Sequence, residues 1–215
     1  MRSVALVCSF CILAFLISAQ AQSRRLITSN DPPDVNPQYF PTGVFSEYPD
    51  IADSRARGVA KFLRAIGEPS LLDAAKNKSS DSYRLLWLRT FNQPIAIRLT
   101  IRPDGTGQLA GVEMTGKSGF DLGVIATTEI VEISQDQIHQ FQDLMRTTEY
   151  WSMPTVDVRL REERIRDGTD WILEGARDGR YHVVARTSPR NGTYRDACLY
   201  LLKLSKIEVE ANRVY

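Results

Sequence analysis

One stretch of this chain matches a phosphate-binding motif. Residues 111–118, GVEMTGKS, fit the P-loop pattern G-x-x-x-x-G-K-[ST] letter for letter. In a nucleotide-binding P-loop, a buried strand leads into the loop and a helix begins at the Lys-Ser pair, where its amides hold the phosphates. Here further glycines follow the pair, and then a strand rich in Val, Ile and Thr. We therefore interpret Gly116, Lys117 and Ser118 as a false match in a hairpin connection, and we predict no cofactor.

Histidine and cysteine, two residue types that bind zinc and take part in catalysis, are few. After residue 21 the chain has His139, His182 and Cys198, with no H-x-x-x-H or C-x-x-C spacing. Zinc needs three or four such ligands, so no metal site is predicted. Cys198 lies on the apolar stripe of a predicted helix, and we interpret it as a buried small hydrophobic residue. There is no G-x-S-x-G motif, although a dispersed catalytic set that includes His182 remains an alternative.

The pair Asp178-Gly179 predicts a two-residue hairpin turn. The resulting register places four pairs on one sheet face: Arg177 with Arg180, Gly175 with His182, Leu173 with Val184, and Trp171 with Arg186. A cation–π pair between Trp171 and Arg186, with space beside Gly175, would make this face the floor of a ligand groove. The alternative is that the same pairs only stabilise the sheet.

The candidate binding residues are polar or aromatic side chains on predicted strands, namely Trp171, His182, Arg186, Arg89 and Arg98. Glu174 points to the opposite face of the sheet from His182, which argues against an acid–base pair of these two residues. No catalytic residue is assigned.

The elements that position these residues follow the hydrophobic period along the chain. Helices are predicted over about 50–66, 70–76, 134–151 and 194–204, and strands over 83–91, 95–102, 106–114, 124–133, 171–176 and 181–187. Ser134 and Gln137 match a capping box. The first strand is apolar on both faces apart from Arg84 and Arg89, which predicts a central position. Hairpin-linked strands with helices predict an α+β domain of two layers, with an antiparallel sheet of about six strands packed against helices.

Three segments divide the chain after residue 21. Residues 22–50 are predicted to form a Pro-rich arm, 51–207 a single α+β domain, and 208–215 a C-terminal tail. Prolines prevent regular structure in the arm, yet it also contains four aromatic residues, Tyr39, Phe40, Phe45 and Tyr48. We predict that these rings pack on the domain, and the alternative is a partner-binding polyproline II strip.

The first residues have the pattern of a signal peptide. A short basic start precedes the apolar run 4–17, and Ser18-Ala19-Gln20-Ala21 predicts cleavage before Gln22. The apolar run is shorter than the roughly 20 residues that span a bilayer, so a retained anchor is the weaker alternative. No membrane span is expected after cleavage.

Cleavage leaves 194 of the 215 residues, with one cysteine and equal numbers of basic and acidic residues. A single cysteine cannot form an internal disulfide, and a chain of this length can bury a sufficient core without one. Formal neutrality argues against a nucleic-acid partner, because such surfaces are strongly basic.

Five segments between Tyr83 and Leu204, together with the Pro94-containing strand that follows the first of them, carry a resemblance to known proteins. They are YRLLWLRTF (83–91), WSMP (151–154), WILEG (171–175), YHVV (181–184) and YRDACLYLL (194–202). In this order they resemble a family of uncharacterised bacterial exported proteins. The resemblance implies a bacterial source and a periplasmic or extracellular location, and it carries over neither an activity nor functional residues.

These observations favour an exported, non-enzymatic module that binds a protein or a cell-envelope component through a sheet face or the aromatic arm. Two alternatives remain. One is a hydrolase-like enzyme whose dispersed catalytic residues include His182, and the other is a purely structural accessory domain.

Overall fold

The computed structural model of the protein describes residues 38–45, 49–76, 81–116, 122–157 and 168–210. Within these ranges the helices are α1 (Pro49–Ala65), α2 (Leu71–Lys76), α3 (Gln135–Thr147) and α4 (Thr193–Ser205), with a 3₁₀ helix, η1 (Tyr150–Ser152). The strands are β1 (Asp81–Arg89), β2 (Ile95–Ile101), β3 (Gly107–Met114), β4 (Ile125–Ile133), β5 (Thr169–Arg177) and β6 (Arg180–Thr187). Each lies within a few residues of its predicted position.

The six strands form one sheet in the order β4-β3-β2-β1-β5-β6, and every neighbouring pair is antiparallel. The α+β class and the six-stranded antiparallel sheet are therefore confirmed. β1 lies between β2 and β5, as its apolar character on both faces predicted.

Apolar residues alternate between two buried clusters, one on each face of the sheet. Tyr83, Leu85 and Trp87 point to the face covered by α3 and α4, which we call the α3–α4 face. Leu86 and Ile172 point to the opposite face, covered by α1, which we call the α1 face. The sheet thus has helices on both sides, one layer more than the two predicted, because α1 covers the second apolar face of the central strands.

The segment 38–45 belongs to the core of the α1 face. Tyr39, Phe40 and Phe45 are buried there, and the rings of Phe40 and Phe45 meet edge to face at 5.0 Å. The Tyr39 hydroxyl donates to the carbonyl of Glu68 at 2.7 Å. These three rings pack as predicted, whereas Tyr48 lies outside the described residues.

Local signals set the start of α3 and the turn between β5 and β6. Ser134 accepts a hydrogen bond from the amide of Gln137, whose side chain accepts from the amide of Ser134, so the predicted capping box is confirmed. Asp178 and Gly179 have φ of 52° and 76°, the left-handed conformations that a two-residue hairpin turn requires. The predicted register of β5 and β6 is confirmed at every pair.

The P-loop match begins inside β3 and continues into the connection to the antiparallel strand β4. Gly111 is within β3, and the amide of Gly116 donates to the carbonyl of Leu122 at 3.1 Å, extending the ladder towards β4. Lys117 and Ser118 lie outside the described residues. The strands expected on either side of this connection are confirmed, and the rejection of the motif as a phosphate site stays a prediction.

No helix in the described ranges combines the length and apolar character needed to cross a membrane.

Candidate functional site

His182 packs on the aromatic residues of η1. Its ring lies 5.1 Å from that of Tyr150 and 6.3 Å from that of Trp151. Its Nε2 lies 3.0 Å from the carbonyl oxygen of Met153, and since a carbonyl only accepts, Nε2 carries the proton. Burial lowers the pKa of His182, and the charges of Arg180 and Arg186 lower it further. His182 is therefore a neutral residue held by backbone contacts at neutral pH.

The predicted space beside Gly175 is filled. A Cβ at this position would lie 3.0 Å from the ring of Tyr150 and 3.1 Å from that of Tyr83. Trp171 is fully buried, and its Nε1 donates to the hydroxyl of Thr169 at 2.7 Å. The prediction of a groove floor along this face is wrong at these positions, because η1 and α4 cover the face.

Arg186 holds the segment that follows η1. Its guanidinium donates to the carbonyls of Pro154 and Thr155 at 2.9 and 3.0 Å, and it lies 5.7 Å from the ring centre of Tyr194. The ring of Trp171 has the guanidinium of Arg195 over it, at 5.6 Å. Tyr194 is thus a cation–π partner of Arg186, and Arg195 is one of Trp171.

Arg89 lies close to the β5–β6 hairpin, whereas Arg98 is on the other face of the sheet. The guanidinium of Arg89 is 4.7 Å from the ring centre of Trp87, whose ring packs on that of Trp171 at 4.8 Å. Arg89 donates to the carbonyl of Gln93 at 2.6 Å and to the Glu113 carboxylate at 2.9 Å. Arg98 points to the α1 face, where its Nε donates to Glu68 at 3.0 Å. The five candidate residues therefore do not line one common site, and each of them has partners close to it.

A buried charge cluster on the α1 face was not predicted. Arg84 has no exposed side-chain surface, and its guanidinium contacts Glu174 at 2.6 Å and Glu68 at 3.2 Å. Tyr181 donates to the other Glu174 oxygen at 2.9 Å, and Arg98 also pairs with Glu68. Burial raises the pKa of Glu174, and Arg84 and Tyr181 oppose that rise. Two arginines balance two carboxylates here, so we interpret the cluster as a structural network.

Among the described residues, a groove lies on the α3–α4 side, between α3, η1 and the end of the β5–β6 hairpin. Two adjoining cavities of about 240 and 290 Å³ share Trp151 and Arg177. We call this site the Trp151 groove, and its lining consists of Tyr83, Gln142, Met145, Arg146, Trp151, Arg177, Asp178 and Arg180.

Trp151 is positioned by its neighbour in η1. The Tyr150 side chain is fully buried, and its hydroxyl donates towards the carbonyls of Leu173 and His182, at 3.1 and 2.8 Å. This anchors η1 to the sheet and leaves Trp151 half-buried at the surface. The guanidinium of Arg180 lies 5.1 Å from the centre of its ring, a cation–π distance.

The other charged residues of the groove have acidic partners. Arg146 pairs with Asp143 at 2.5 Å, and Arg177 lies 3.3 Å from Asp178 and 3.6 Å from Asp81. No group of three or more His, Cys, Asp or Glu residues that could hold a metal ion occurs in the part of the chain that the structure describes. The groove is therefore a surface of arginine and aromatic side chains.

Cys198 lies in the core of the α3–α4 face, where burial raises the pKa of its thiol. A thiolate is the nucleophilic form of cysteine, so this environment disfavours reaction. Cys198 packs as the small hydrophobic residue that was predicted.

Comparison with models of known protein families and with the sequences of curated proteins found no match. A function for this chain is therefore argued from its fold and from the contacts of individual residues.

Each part of the Trp151 groove had a signal in the sequence. The WSMP segment at the end of a predicted helix and the Arg-Asp-Gly-Arg hairpin were both recognised. What local patterns could not give was their contact, because Trp151 and Arg180 meet only once α3 has docked on the sheet.

Proposed function

We propose that this protein is an exported bacterial module that binds a protein or another component of the cell envelope and performs no catalysis. The observation that carries the proposal is the Trp151 groove. A half-buried tryptophan beside arginines, in a concavity between a helix and a hairpin end, has the composition of a recognition surface, since Trp and Arg dominate binding hot spots.

Export is supported by the basic start, the apolar run and the small residues that end at Ala21, together with the resemblance to exported bacterial proteins. Expression of the full chain in a Gram-negative bacterium, fractionation and mass spectrometry of the N-terminus test this part. We expect a periplasmic protein that begins at Gln22. A cytoplasmic protein that retains Met1 would contradict export.

The contacts of the titratable groups support binding over hydrolysis. A histidine base is typically oriented by a carboxylate, whereas the charges acting on the ring of His182 are those of Arg180 and Arg186. Glu174 points to the opposite face, where it pairs with Arg84.

Site-specific photo-crosslinking tests the binding function. A benzophenone amino acid replaces Gln142, at the wall of the groove, and in a matched control it replaces the exposed Gln108 of β3. In cells we expect a discrete adduct from position 142 that is lost when Trp151→Ala is added, and no such adduct from position 108. Identical adduct patterns from both positions, or none from either, would contradict binding through this groove.

A further inference from the structure

The lining of the Trp151 groove has more arginines than acidic residues, and Asp143 and Asp81 next to it pair with two of these arginines. Three arginines and one aspartate line its two cavities. Arg177 and Arg180 come from directly opposite positions of the hairpin, so two like charges face each other at its last pair. Such pairs destabilise a hairpin. A local rule broken at the rim of a concavity is typical of a functional site.

The two hairpin arginines differ in how their charge is balanced. Arg177 has Asp81 and Asp178 beside it. Among the described residues Arg180 has no acidic partner, and the contact that holds its guanidinium is the ring of Trp151. Its planar group is therefore preorganised and available to a carboxylate, which arginine binds through two parallel hydrogen bonds.

The second cavity offers an apolar surface next to this cation. Trp151 is half-buried there, the largely buried Tyr83 and Met145 lie at the floor, and Gln142 and Arg146 are at the wall. At about 240 and 290 Å³, the cavities fall below the roughly 300–1,000 Å³ of small-molecule pockets. Two adjoining shallow sites, one cationic and one apolar, instead match alternate side chains of an extended peptide, because successive side chains point to opposite sides.

We propose that the Trp151 groove binds an acidic peptide segment, with a carboxylate on Arg180 and an apolar side chain, two residues away, in the cavity beside Trp151. The inference rests on the proposed binding function and names the class of partner. The sulfate or carboxylate groups of an anionic glycan would also pair with Arg180, but they would leave the apolar cavity unused, so we favour the peptide.

Titration calorimetry of the chain that begins at Gln22 tests the proposal at low salt. The probe is a capped five-residue peptide with glutamate at position 2, leucine at position 4 and glycine at the other positions, so that both side chains lie on one side of the extended peptide. Its controls are the same peptide with glutamine for glutamate, the same peptide with alanine for leucine, and an oligogalacturonate as the anionic glycan. We expect the glutamate–leucine peptide to bind at least tenfold more tightly than each control, as expected for one charge-assisted pair and one buried side chain.

Two variants locate the binding. Arg180→Gln should weaken binding of the glutamate–leucine peptide about tenfold. Arg102→Gln, which removes an exposed arginine paired with Glu132 at the β4 edge, should leave it unchanged. Equal losses in the two variants would show nonspecific attraction and would overturn the proposal.

The remaining outcomes distinguish failure of the acidic-peptide proposal from failure of the proposed binding function. Equal binding of the glutamine peptide, or tighter binding of oligogalacturonate, overturns the acidic-peptide class. If no probe binds while position 142 still gives its crosslinked adduct, the peptide class fails and the binding function stands. If neither the probes nor the crosslinking gives a signal, both fail.

Discussion

At the residue scale, the buried ion pair of Arg84 and Glu174 is costly to break on one side. Both side chains are fully buried, and their charged groups are 2.6 Å apart. Desolvation opposes such a pair, and removal of one partner leaves an uncompensated charge in the core. The pair therefore ties β1 to β5 without being evidence of a site.

Glu174→Gln should lower the free energy of unfolding by about 3 kcal/mol, the lower end of the cost of breaking a buried pair, because Glu68 still contacts Arg84. Urea unfolding followed by circular dichroism measures the change. The matched control is Glu132→Gln, which breaks the exposed pair with Arg102 and should leave the unfolding midpoint where it was. Similar shifts in the two variants would show that Glu174 is not held as an ion.

His182 makes stability depend on pH in a defined direction. Its pKa is lowered in the folded protein, so below the ordinary value of 6.5 the unfolded chain binds the proton first. Stability is therefore fully present above that pH and is lost as the pH falls towards the folded pKa.

We expect the unfolding midpoint of the wild type to fall between pH 7.5 and 5.5 by more than that of His182→Gln, because the variant lacks this titration. Parallel urea titrations at the two pH values compare them, and His139→Gln serves as the control for loss of an exposed histidine on α3. If His182→Gln retains the full pH dependence, other groups cause it.

At the element scale, local sequence patterns were sufficient to predict a helix start or a hairpin register wherever neighbouring residues stabilise it. Ser134 and Gln137 cap α3, and Asp178-Gly179 sets the β5–β6 register, each through contacts within four residues. The central position of β1 also followed from its composition. These features depend on capping, turn conformation and alternation, which the sequence states directly.

Contacts between elements that are far apart in the chain could not be predicted from local sequence patterns. The space expected beside Gly175 depends on whether another element fills it, and the filling ring belongs to Tyr150, 25 positions earlier in the chain. The charge in the apolar strand β1 did signal that Arg84 needs a partner, but its choice of Glu174 and Glu68 depends on strand order and on the docking of α1. The second helical layer was missed for the same reason.

Gly175→Ala tests how tightly η1 covers the sheet. The added methyl group would press on two buried rings, so we expect a loss of about 1–3 kcal/mol in unfolding free energy. Gly58 supplies the comparison, since a Cβ at that exposed site of α1 meets nothing within 4 Å. Gly58→Ala should stabilise the protein by about 0.5–1 kcal/mol, because alanine is the better helix former. Stabilisation by both changes would mean that η1 packs loosely on the sheet and moves to accept the added methyl group.

At the scale of the whole molecule, the two cores share one set of strands. Alternate residues of β1 and β5 face the α3–α4 core and the α1 core, so neither core can lose its strands without the other losing them too. This coupling makes the segment 38–45 part of the cooperative unit, although it precedes the first helix. All three tryptophans of the chain lie on the α3–α4 side, which provides a probe for the coupling.

Phe40→Ala removes a ring from the α1 core and should cost about 3–5 kcal/mol, as buried Phe-to-Ala changes do. If the molecule unfolds as one unit, tryptophan fluorescence from the opposite face must shift its midpoint by the same amount as circular dichroism. Phe91→Ala is the control, since this ring is 60% exposed and its loss should change stability by no more than about 0.5 kcal/mol. A fluorescence midpoint that stays at the wild-type value while circular dichroism shifts would show that the segment 38–45 and α1 unfold separately. The sheet and the α3–α4 core, which carry the Trp151 groove, would then form the smaller cooperative unit.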